Sequence, residues 1–310
     1  MPGVSVIMST YKEPEEYIRL SVESILHQSF SDLEFIIVID NPQNEELLSL
    51  LLEYKNVDSR VIIIKNDRNI GLTASLNKAL KEAKGELIAR MDADDISDPE
   101  RLKKQIEYLE ANNLDLVGCS IRRISESGEI LDKKTNKSYP PECIAKTLIY
   151  DDCIPHPTWI ARKTLFDILN GYRELYSCED YDFLLRALAK NYKFGICDEV
   201  LLSYRVNVNG ISRMNSFRQH LSSAYLQKNI NRISEINQDE IDSHIKKIMN
   251  EKRSIHYEKA IQQMNNGIKT IKNGHLVGLL FLCKAIVVSP YIADNLIRIA
   301  KMYIIRRQYT

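Results

Sequence analysis

The sequence lacks the features that identify several common classes of protein. It has no net charge, since 42 Lys and Arg residues balance 42 Asp and Glu residues, so charge gives no general argument for nucleic-acid binding. Its six cysteines form no C-x-x-C pair and have no histidine at zinc-ligand spacing, which predicts reduced core thiols. The first residues, MPGVSVIMSTY, show no basic segment followed by a long apolar run. We therefore expect no secretion signal and a cytoplasmic protein.

The composition indicates a large folded chain with an unequal distribution of charge. Hydrophobic residues make up 44% of the 310 residues, which is enough for a sizeable core in one domain or in one domain with an appendage. Residues 241–310 contain twelve Lys and Arg but only four Asp and Glu. The first 240 residues are correspondingly acidic, and this basic C-terminal part beside an acidic body needs its own explanation.

Short apolar segments alternate with helical periods through the first two hundred residues. Five β-branched segments have the character of buried parallel strands. They cover 4–9, 33–40, 60–66, 86–92 and 114–119. This order predicts an α/β fold, a Rossmann-like, doubly wound and mostly parallel sheet whose ligand lies beyond the carboxyl ends of the strands. Asp40 and Asp92 end two of these strands and should line that edge.

The rest of the chain also shows strand and helix patterns. We expect further strands at 157–162 and 195–205 around a helix at 181–191, and a hairpin or mobile loop at 126–142. A helix at 99–112 should begin with Asp98 as its N-cap and Pro99 at its first position. From Ser216 onward only helical patterns remain. The sequence thus predicts two domains, one over 1–215 and an all-helical region over 216–310.

The segment ELIARMDADDISDPERL (86–102) crowds carboxylates at the end of a strand. Successive strand side chains alternate between faces, so Asp92 and Asp94 can point the same way. Two carboxylates on one side form half of an oxygen site for Mg²⁺ or Mn²⁺, which water and substrate phosphates then complete. The alternative is a solvated turn before the next helix, and a lone D-x-D is more often such a turn.

Several further motifs stand in order along the chain. They are VSVIMSTYKEPEEYIRLSVESILHQSF at the start, NDRNIGLTASLNKALKEAKGELIARMDADD (66–95), PHPTWIARK (155–163), GYRELYSCEDYDFLLRAL (171–188) and LLSYRVNVNGIS (201–212). Together they resemble the family 2 glycosyltransferases of GT-A fold, over roughly residues 3 to 213. The resemblance implies a transferase that uses a nucleotide-activated sugar and inverts the anomeric centre.

The resemblance also implies roles for individual residues at the donor site. Asp92 and Asp94 correspond to the D-x-D pair, with Asp94 as the metal ligand and Asp92 nearer the ribose or the metal, which is Mn²⁺ or Mg²⁺. Asp40 corresponds to the acid that accepts a hydrogen bond from the base, which suits the uracil of a UDP-sugar. The remaining donor positions, which border the nucleobase or the diphosphate, are Thr10, Tyr11, Arg68, Asn69 and Gly71.

Asp180, in CEDYDF, corresponds to the general base. A carboxylate placed beside the acceptor hydroxyl can take its proton as the hydroxyl attacks the anomeric carbon. The alternative is structural, because Glu179, Asp180 and Asp182 begin a helix, where acidic side chains are favoured by the helix dipole.

Four more residues receive weaker assignments from the same resemblance. His156 and Glu179 are tentative contacts of the acceptor, although a lone histidine is as often a structural residue. Trp159, the only tryptophan, is expected in the core and not under a sugar. Arg205 is expected to belong to a flexible segment that closes on the donor diphosphate.

The chain departs from the family pattern at three positions. Ile39 stands where an Asp-Asp pair usually begins, so only Asp40 remains of that pair. Lys12 replaces the Asn of T-Y-N, which affects the packing of the base. Asn207 stands where many members carry His. None of these changes removes the metal site or the base.

The C-terminal stretch HLVGLLFLCKAIVVSPYIADNLIRIAKMYIIRRQYT (275–310) is nearly all apolar from Leu276 to Ala293. Lys284 and Pro290 interrupt it, and a bilayer-spanning helix needs about 20 apolar residues. Its apolar and cationic residues instead predict helices lying in the membrane surface. The alternatives are packing against the rest of the chain, a homodimer, or a true span.

These observations together predict a metal-dependent inverting glycosyltransferase. We expect it to act on a lipid-linked saccharide at the inner face of the plasma membrane, in synthesis of a capsule, exopolysaccharide or O-antigen. One alternative is a sugar-phosphate nucleotidyltransferase, whose glycine-rich loop after the first strand is missing, since STYKEPEE contains no glycine. Another is a non-catalytic scaffold that binds nucleotide sugars.

Overall fold

The computed structural model describes residues 1–132, 139–175, 177–207 and 215–309 of the chain. The chain forms two compact units. One, the α/β unit, comprises Met1–Ala145, Asp152–Glu174 and Glu179–Val208, and the other, the helical unit, comprises Lys146–Asp151, Leu175–Cys178 and Asn209–Thr310. The short segments 146–151 and 175–178 therefore belong to the helical unit, although they lie within the range predicted for the first domain.

A mixed sheet of nine strands, as far as the chain is described, forms the centre of the α/β unit. The strands are β1 (Val4–Thr10), β2 (Leu33–Ile39), β3 (Val61–Lys65), β4 (Leu87–Arg90), β5 (Ile96–Ser97), β6 (Leu116–Ile124), β7 (Ile130–Asp132), β8 (Ile160–Arg162) and β9 (Phe194–Arg205). Their order is β3-β2-β1-β4-β8-β6-β9-β5, and β7 pairs with β6. The first four strands of this order are parallel, so their carboxyl ends share one edge.

The direction of the chain changes beyond β4. Strand β8 is antiparallel to both of its neighbours, β4 and β6, whereas β6 and β9 are parallel to each other. Six of the nine described strands therefore run in one direction, in line with the mostly parallel sheet that the sequence predicts, and β5, β7 and β8 run in the opposite direction.

Helices alternate with the strands along this part of the chain. Up to residue 207 the described helices are α1 (Glu15–Leu26), α2 (Glu45–Val57), α3 (Leu72–Glu82), α4 (Arg101–Ala111), α5 (Pro141–Leu148), α6 (Lys163–Leu169) and α7 (Glu179–Ala189). All residues of β1 and β2 are buried, as expected for parallel strands covered on both faces. In α1, Ile18, Val22 and Ile25 are buried, and this spacing of three and four places them on one face.

Most of the predicted boundaries hold within about two residues, but β6 ends at Ile124 and not at 119, and β8 begins at Ile160 and not at 157. Strand β4 ends at Arg90, so Asp92 lies in the loop that follows. Helix α4 begins at Arg101, two residues after Pro99, because Asp98 first forms a turn in which its Oδ1 accepts a hydrogen bond from Glu100 N (3.0 Å). In the predicted hairpin, β7 pairs with β6, while 133–138 lie outside the described residues.

The helical unit contains no strand among its described residues, as predicted. Its helices are α8 (Ser216–Lys228), α9 (Gln238–Ile248), α10 (Glu251–Lys272), α11 (Gly278–Val288) and α12 (Tyr291–Arg307). Helices α10 and α11 approach closely through glycine, since a Cβ on Gly278 would lie 2.5 Å from the carbonyl oxygen of Gly267. Over the described residues, no helix combines the length and the apolar composition needed to cross a bilayer.

Candidate active site

The loops that carry the predicted donor residues lie side by side at the carboxyl ends of β1 to β4. The backbone continues the strand ladder into these loops, because Asp40 N donates to Thr10 O (2.8 Å) and Asn66 N donates to Ile39 O (3.0 Å). On the other side of β1, Met91 N donates to Ile7 O (3.1 Å). The topology thus brings four separate sequence motifs to one edge of the sheet.

Asp40 is buried and accepts hydrogen bonds from the loop after β3. Its Oδ1 accepts from Asn66 Nδ2 and from Ile70 N, and its Oδ2 accepts from Gly71 N, all at 2.8 Å. Gly71 has a φ of +86°, a conformation that favours glycine. Asp40 therefore fixes the loop over 68–71, and its contact with the nucleobase stays a prediction.

Tyr11 and Asn69, which come from different loops, meet at this edge. Hydrogen bonds with the side chains of Asn69 and Lys12 lower the pKa of Tyr11, and Lys12 Nζ also lies 4.8 Å from the centre of the Tyr11 ring. Glu13, which the sequence analysis missed, orders this loop because its Oε2 accepts from Thr10 Oγ1 and from Tyr11 N, both at 2.7 Å. The Tyr11 ring remains accessible, as packing on a base requires.

The acidic loop after β4 holds more negative charge than its described neighbours balance. Burial, together with the charges of Asp92 and Glu13, raises the pKa of Asp94 to about 7. Asp95 is fully buried, and burial and the charges of Asp92 and Asp94 raise its pKa well above the usual range. Asp95 Oδ1 accepts a hydrogen bond from Arg205 N (2.8 Å), whereas its Oδ2 has no partner among the described residues.

Asp92 and Asp94 fit a divalent ion of the magnesium type. Carboxylate oxygens are the ligands that Mg²⁺ and Mn²⁺ prefer, and a cation would relieve the repulsion that raises the pKa of Asp94. Among the described residues, no group of three or more His, Cys, Asp or Glu side chains surrounds a common point. The chain would therefore supply two carboxylates, and water and phosphate oxygens would supply the other ligands.

Asp180 lies in the first turn of α7, in the electrostatic field of the acidic loop. Burial raises its pKa, against the hydrogen bond from Tyr181 N and the charge of Arg90, and the charge of Asp92 raises it further. Asp180, Asp92 and Arg90 thus influence one another although they come from distant parts of the sequence. Arg90 was not singled out in the sequence, where the available signal was a cation inside the apolar strand LIAR.

Glu179 and Asp182 share the first turn of α7 with Asp180 but differ in surroundings. Glu179 is half-buried, and its contact with the acceptor stays a prediction. Asp182 is fully buried and forms ion pairs with Arg173 and Arg186. Asp182 therefore has a structural role in this turn, and the catalytic role of Asp180 stays a prediction.

His156 lies in an aromatic cluster. Its ring centre is 4.6 Å from that of Trp159, and its Nε2 is 2.8 Å from the hydroxyl of Tyr172. Burial lowers the pKa of His156 well below its usual value, so the ring is neutral at physiological pH. Trp159 is buried, and its indole N–H donates to Ile154 O (2.9 Å), which confirms its predicted place in the core.

Arg205 is buried at the end of β9 and connects the acidic loop to two other elements. Its Nε donates to Asp94 O (2.8 Å) and its Nη1 donates to Glu126 O (2.9 Å). The guanidinium also lies 4.0 Å from the centre of the Tyr17 ring. Arg205 therefore supports the acidic loop. Its contact with the diphosphate stays a prediction, and 208–214 lie outside the described residues.

Comparisons with known proteins agree with this architecture. Residues 5–168 match the profile of the family described as Glycosyl transferase family 2. An uncharacterized glycosyltransferase of Methanocaldococcus jannaschii is 41% identical over 230 residues, which cover 73% of this chain and 79% of that protein. The Escherichia coli O-antigen biosynthesis glycosyltransferase WbnJ is 37% identical over 207 residues, which cover 66% of this chain and 80% of that protein.

A solved structure supports the fold independently. S. aureus TarS 1–349 in complex with UDP-GlcNAc superposes with a TM-score of 0.60 at 19% identity, over 84% of this chain and 80% of that one. The α/β unit thus has the GT-A type of fold, with a helical region after it. The chain belongs to the family 2 glycosyltransferases, and it is a glycosyltransferase.

Proposed function

We propose that this glycosyltransferase transfers a sugar from a UDP-sugar to a hydroxyl group of a lipid-linked saccharide, with inversion and with Mn²⁺ or Mg²⁺ as cofactor. The observation that carries the proposal is the acidic pair Asp92 and Asp94 after the carboxyl end of β4, with Asp180 near enough for the charge of Asp92 to raise its pKa. The pKa of Asp94, raised to about 7 by burial and by neighbouring acids, supports a cation at this point.

Asp180 is the group that we assign to the proton transfer. The acceptor hydroxyl loses its proton to the Asp180 carboxylate while its oxygen forms a bond to the anomeric carbon. At the same time the bond from that carbon to the diphosphate oxygen breaks, and attack opposite to the leaving group inverts the centre. Burial, which raises the pKa of Asp180, makes its carboxylate a stronger base. A bound divalent ion would neutralise charge on the departing diphosphate.

The nucleotide would lie on the loops after β1, β2 and β3. Tyr11 offers an accessible ring for stacking, and Asp40 orders the loop over 68–71 through Ile70 N and Gly71 N. Arg68 is exposed in that loop and can reach an anionic ligand. UDP as the nucleotide is supported by Asp40 and by the UDP-GlcNAc bound to TarS.

The pathway is proposed from relatives and from the helical unit. WbnJ is named for O-antigen biosynthesis, which supports a role in assembling a bacterial surface polysaccharide such as a capsule, an exopolysaccharide or an O-antigen. Helix α11 exposes most of its apolar surface, including Leu280 and Val287. With the basic residues of α12, this surface suits the anionic headgroups at the inner face of the plasma membrane, where a lipid-linked acceptor would be met.

A panel of nucleotide sugars with and without Mn²⁺ tests the donor and the metal. A ligand at 100 times its dissociation constant stabilises the fold by about 2.7 kcal/mol, so the true donor should raise the thermal midpoint in the presence of Mn²⁺. Asp94→Asn should remove the Mn²⁺-dependent part, and the matched control Asp167→Asn, at an exposed ion pair, should retain it. Stabilisation by no donor, or full turnover in excess chelator, would contradict the proposal.

Analysis of the released products separates the alternatives. A nucleotidyltransferase would instead release diphosphate from a nucleoside triphosphate and a sugar phosphate. A non-catalytic scaffold would be stabilised by a nucleotide sugar but would release no UDP in the presence of any acceptor.

A further inference from the structure

Arg90 places a positive charge inside the sheet, next to the acidic loop. It is the last residue of β4, a strand in which all residues are buried, and only 2% of Arg90 is exposed. A buried charge is costly unless it is paired and hydrogen-bonded. The contacts of this guanidinium should therefore show which group its charge balances.

The guanidinium is directed at Asp92. Arg90 Nη2 donates to Asp92 Oδ1 at 2.6 Å, and Nη1 donates to the carbonyl oxygen of Met91. The backbone of Arg90 is also fixed, because its N donates to Trp159 O (2.8 Å). Its carbonyl oxygen accepts from both terminal nitrogens of the buried Arg101, each at 3.2 Å.

The two acids of the D-x-D pair therefore differ. The Asp92 side chain is 31% exposed while its partner Arg90 is buried, so one oxygen is held by the protein and the other can face a ligand. Asp94 forms no ion pair with any cation among the described residues. The guanidinium of Arg205 donates to the backbone oxygen of Asp94 and not to its carboxylate.

We infer that Arg90 is an internal counter-ion of Asp92, and that it gives the two acids of the D-x-D pair different roles. Arg90 neutralises Asp92 and fixes its orientation, and Asp94 is left as the carboxylate whose charge the divalent ion must balance. Before the donor binds, the site then attracts a free divalent ion weakly, and the phosphates of the donor supply the missing negative charge. This inference rests on the proposed function and makes Arg90 a positioning residue.

Arg90→Gln tests the inference through metal binding as well as turnover. Without the positive charge, Mn²⁺ alone should bind about tenfold more tightly, since a cation a few ångströms away no longer opposes it. Turnover should fall by about 100-fold because Asp92 is no longer held. Mn²⁺ binding is measured at pH 8 by titration calorimetry without nucleotide, and turnover by release of UDP.

Arg60→Gln is a matched control, because Arg60 pairs with Asp58, also two residues away, at 2.7 Å. Its Mn²⁺ affinity and turnover should equal those of the unmodified protein. Arg90→Lys keeps the charge and should bind Mn²⁺ within twofold of the unmodified protein, with turnover partly restored relative to Arg90→Gln. If Arg90→Gln does not fold, the inference is tested by Arg90→Lys alone, because a tenfold rise in the Mn²⁺ affinity of this variant would overturn it.

A double variant separates positioning from simple support of the fold. In an Asp92→Asn background, Arg90→Gln should change turnover less than threefold, because no Asp92 carboxylate is left for Arg90 to hold. Its effect on Mn²⁺ affinity should persist there, because the Arg90 charge opposes the ion in either background. Equal losses of turnover in both backgrounds, or unchanged or weaker Mn²⁺ binding by Arg90→Gln, would overturn the inference. If the unmodified protein binds neither Mn²⁺ nor a donor, it is the proposed function that fails.

Discussion

The proposed role of Asp180 as the general base can be tested by one substitution. Asp180→Asn keeps the shape but cannot take a proton, so turnover should fall by about 10²- to 10⁴-fold while the donor still binds. UDP release measures the first effect, and the donor's thermal stabilisation measures the second. The matched control is Asp167→Asn, which removes an exposed acid paired with Lys163. Undiminished turnover in Asp180→Asn would rule out this mechanism.

His220 in the helical unit predicts a pH dependence of stability. Burial and the charge of Arg298 lower the pKa of His220 from 6.5 to about 4, and Arg298 Nη2 lies 2.6 Å from its Nδ1. Between these pH values the unfolded chain binds a proton that the folded chain does not, so stability falls as pH falls from 6.5 towards 4. At pH 5 the loss is about 2 kcal/mol relative to neutral pH.

The variant His220→Gln keeps an acceptor for Arg298 but has no titratable group. The free energy of unfolding, measured by calorimetry, should therefore change between pH 7 and pH 5 by about 2 kcal/mol less in this variant than in the unmodified protein. Identical pH profiles would show that His220 is not neutral in the fold.

At the scale of single residues, the sequence identifies the acidic residues of the candidate site better than it identifies their partners. Asp92 and Asp94 are neighbours along the chain, and their spacing together with the other motifs suggests a shared ligand. Arg90 and Glu13 contact residues at most three positions away, but these contacts depend on the conformation of their loops, which the sequence does not give. Trp159 could be placed in the core from its type, whereas the hydrogen bond between His156 and Tyr172 depends on tertiary packing.

At the scale of the element, α7 is positioned by a buried ionic cluster. Asp182 is fully buried and pairs with Arg186 Nε at 2.8 Å, and Arg173 also donates to it. Arg186 further donates to the carbonyl oxygens of Leu169 (2.8 Å) and Gly171 (3.0 Å). The cluster therefore connects the start of α7, where Asp180 lies, to the loop after α6.

Arg186→Met should show the cost of breaking this cluster. It leaves a buried carboxylate with one partner and two carbonyl oxygens without donors, so the free energy of unfolding should fall by about 3 kcal/mol. Urea unfolding can be followed by the fluorescence of Trp159, whose ring centre is 5.7 Å from that of Phe183 in α7. Arg19→Met removes an exposed pair with Glu15 and should cost less than about 1 kcal/mol. Equal losses would contradict this account.

The elements themselves were predictable to different degrees. Strands β1 to β3 appear in the sequence as apolar, β-branched runs, and the structure places them within about two residues of the prediction. The insertion of β8 between β4 and β6 was not predictable, because the order of strands in a sheet depends on pairing between residues distant in sequence. The helices of the first domain could be predicted because the apolar residues of each helix lie on one face.

At the scale of the whole molecule, the helical unit is the part that relatives explain least. The family profile ends at residue 168, so the C-terminal helices need a physical account of their own. In α11 only Gly278 and Ala285 are buried, and an exposed apolar surface of this kind marks a site of interaction. The surplus of Lys and Arg beyond residue 240 favours an anionic surface.

The double variant Leu280→Glu with Val287→Glu tests membrane binding. These side chains are 61% and 84% exposed on α11, so acidic replacements should leave the fold intact. Burying the two side chains in a headgroup layer would contribute about 3 kcal/mol. Cosedimentation with vesicles containing phosphatidylglycerol should therefore weaken at least tenfold, and the binding of the unmodified protein should weaken with salt. Val57→Glu, an equally exposed site on α2, should have no effect. If the double variant binds vesicles as well as the unmodified protein does, the membrane proposal is wrong. It is also wrong if analytical ultracentrifugation shows a dimer that the double variant dissociates, because the surface then joins two copies of the chain.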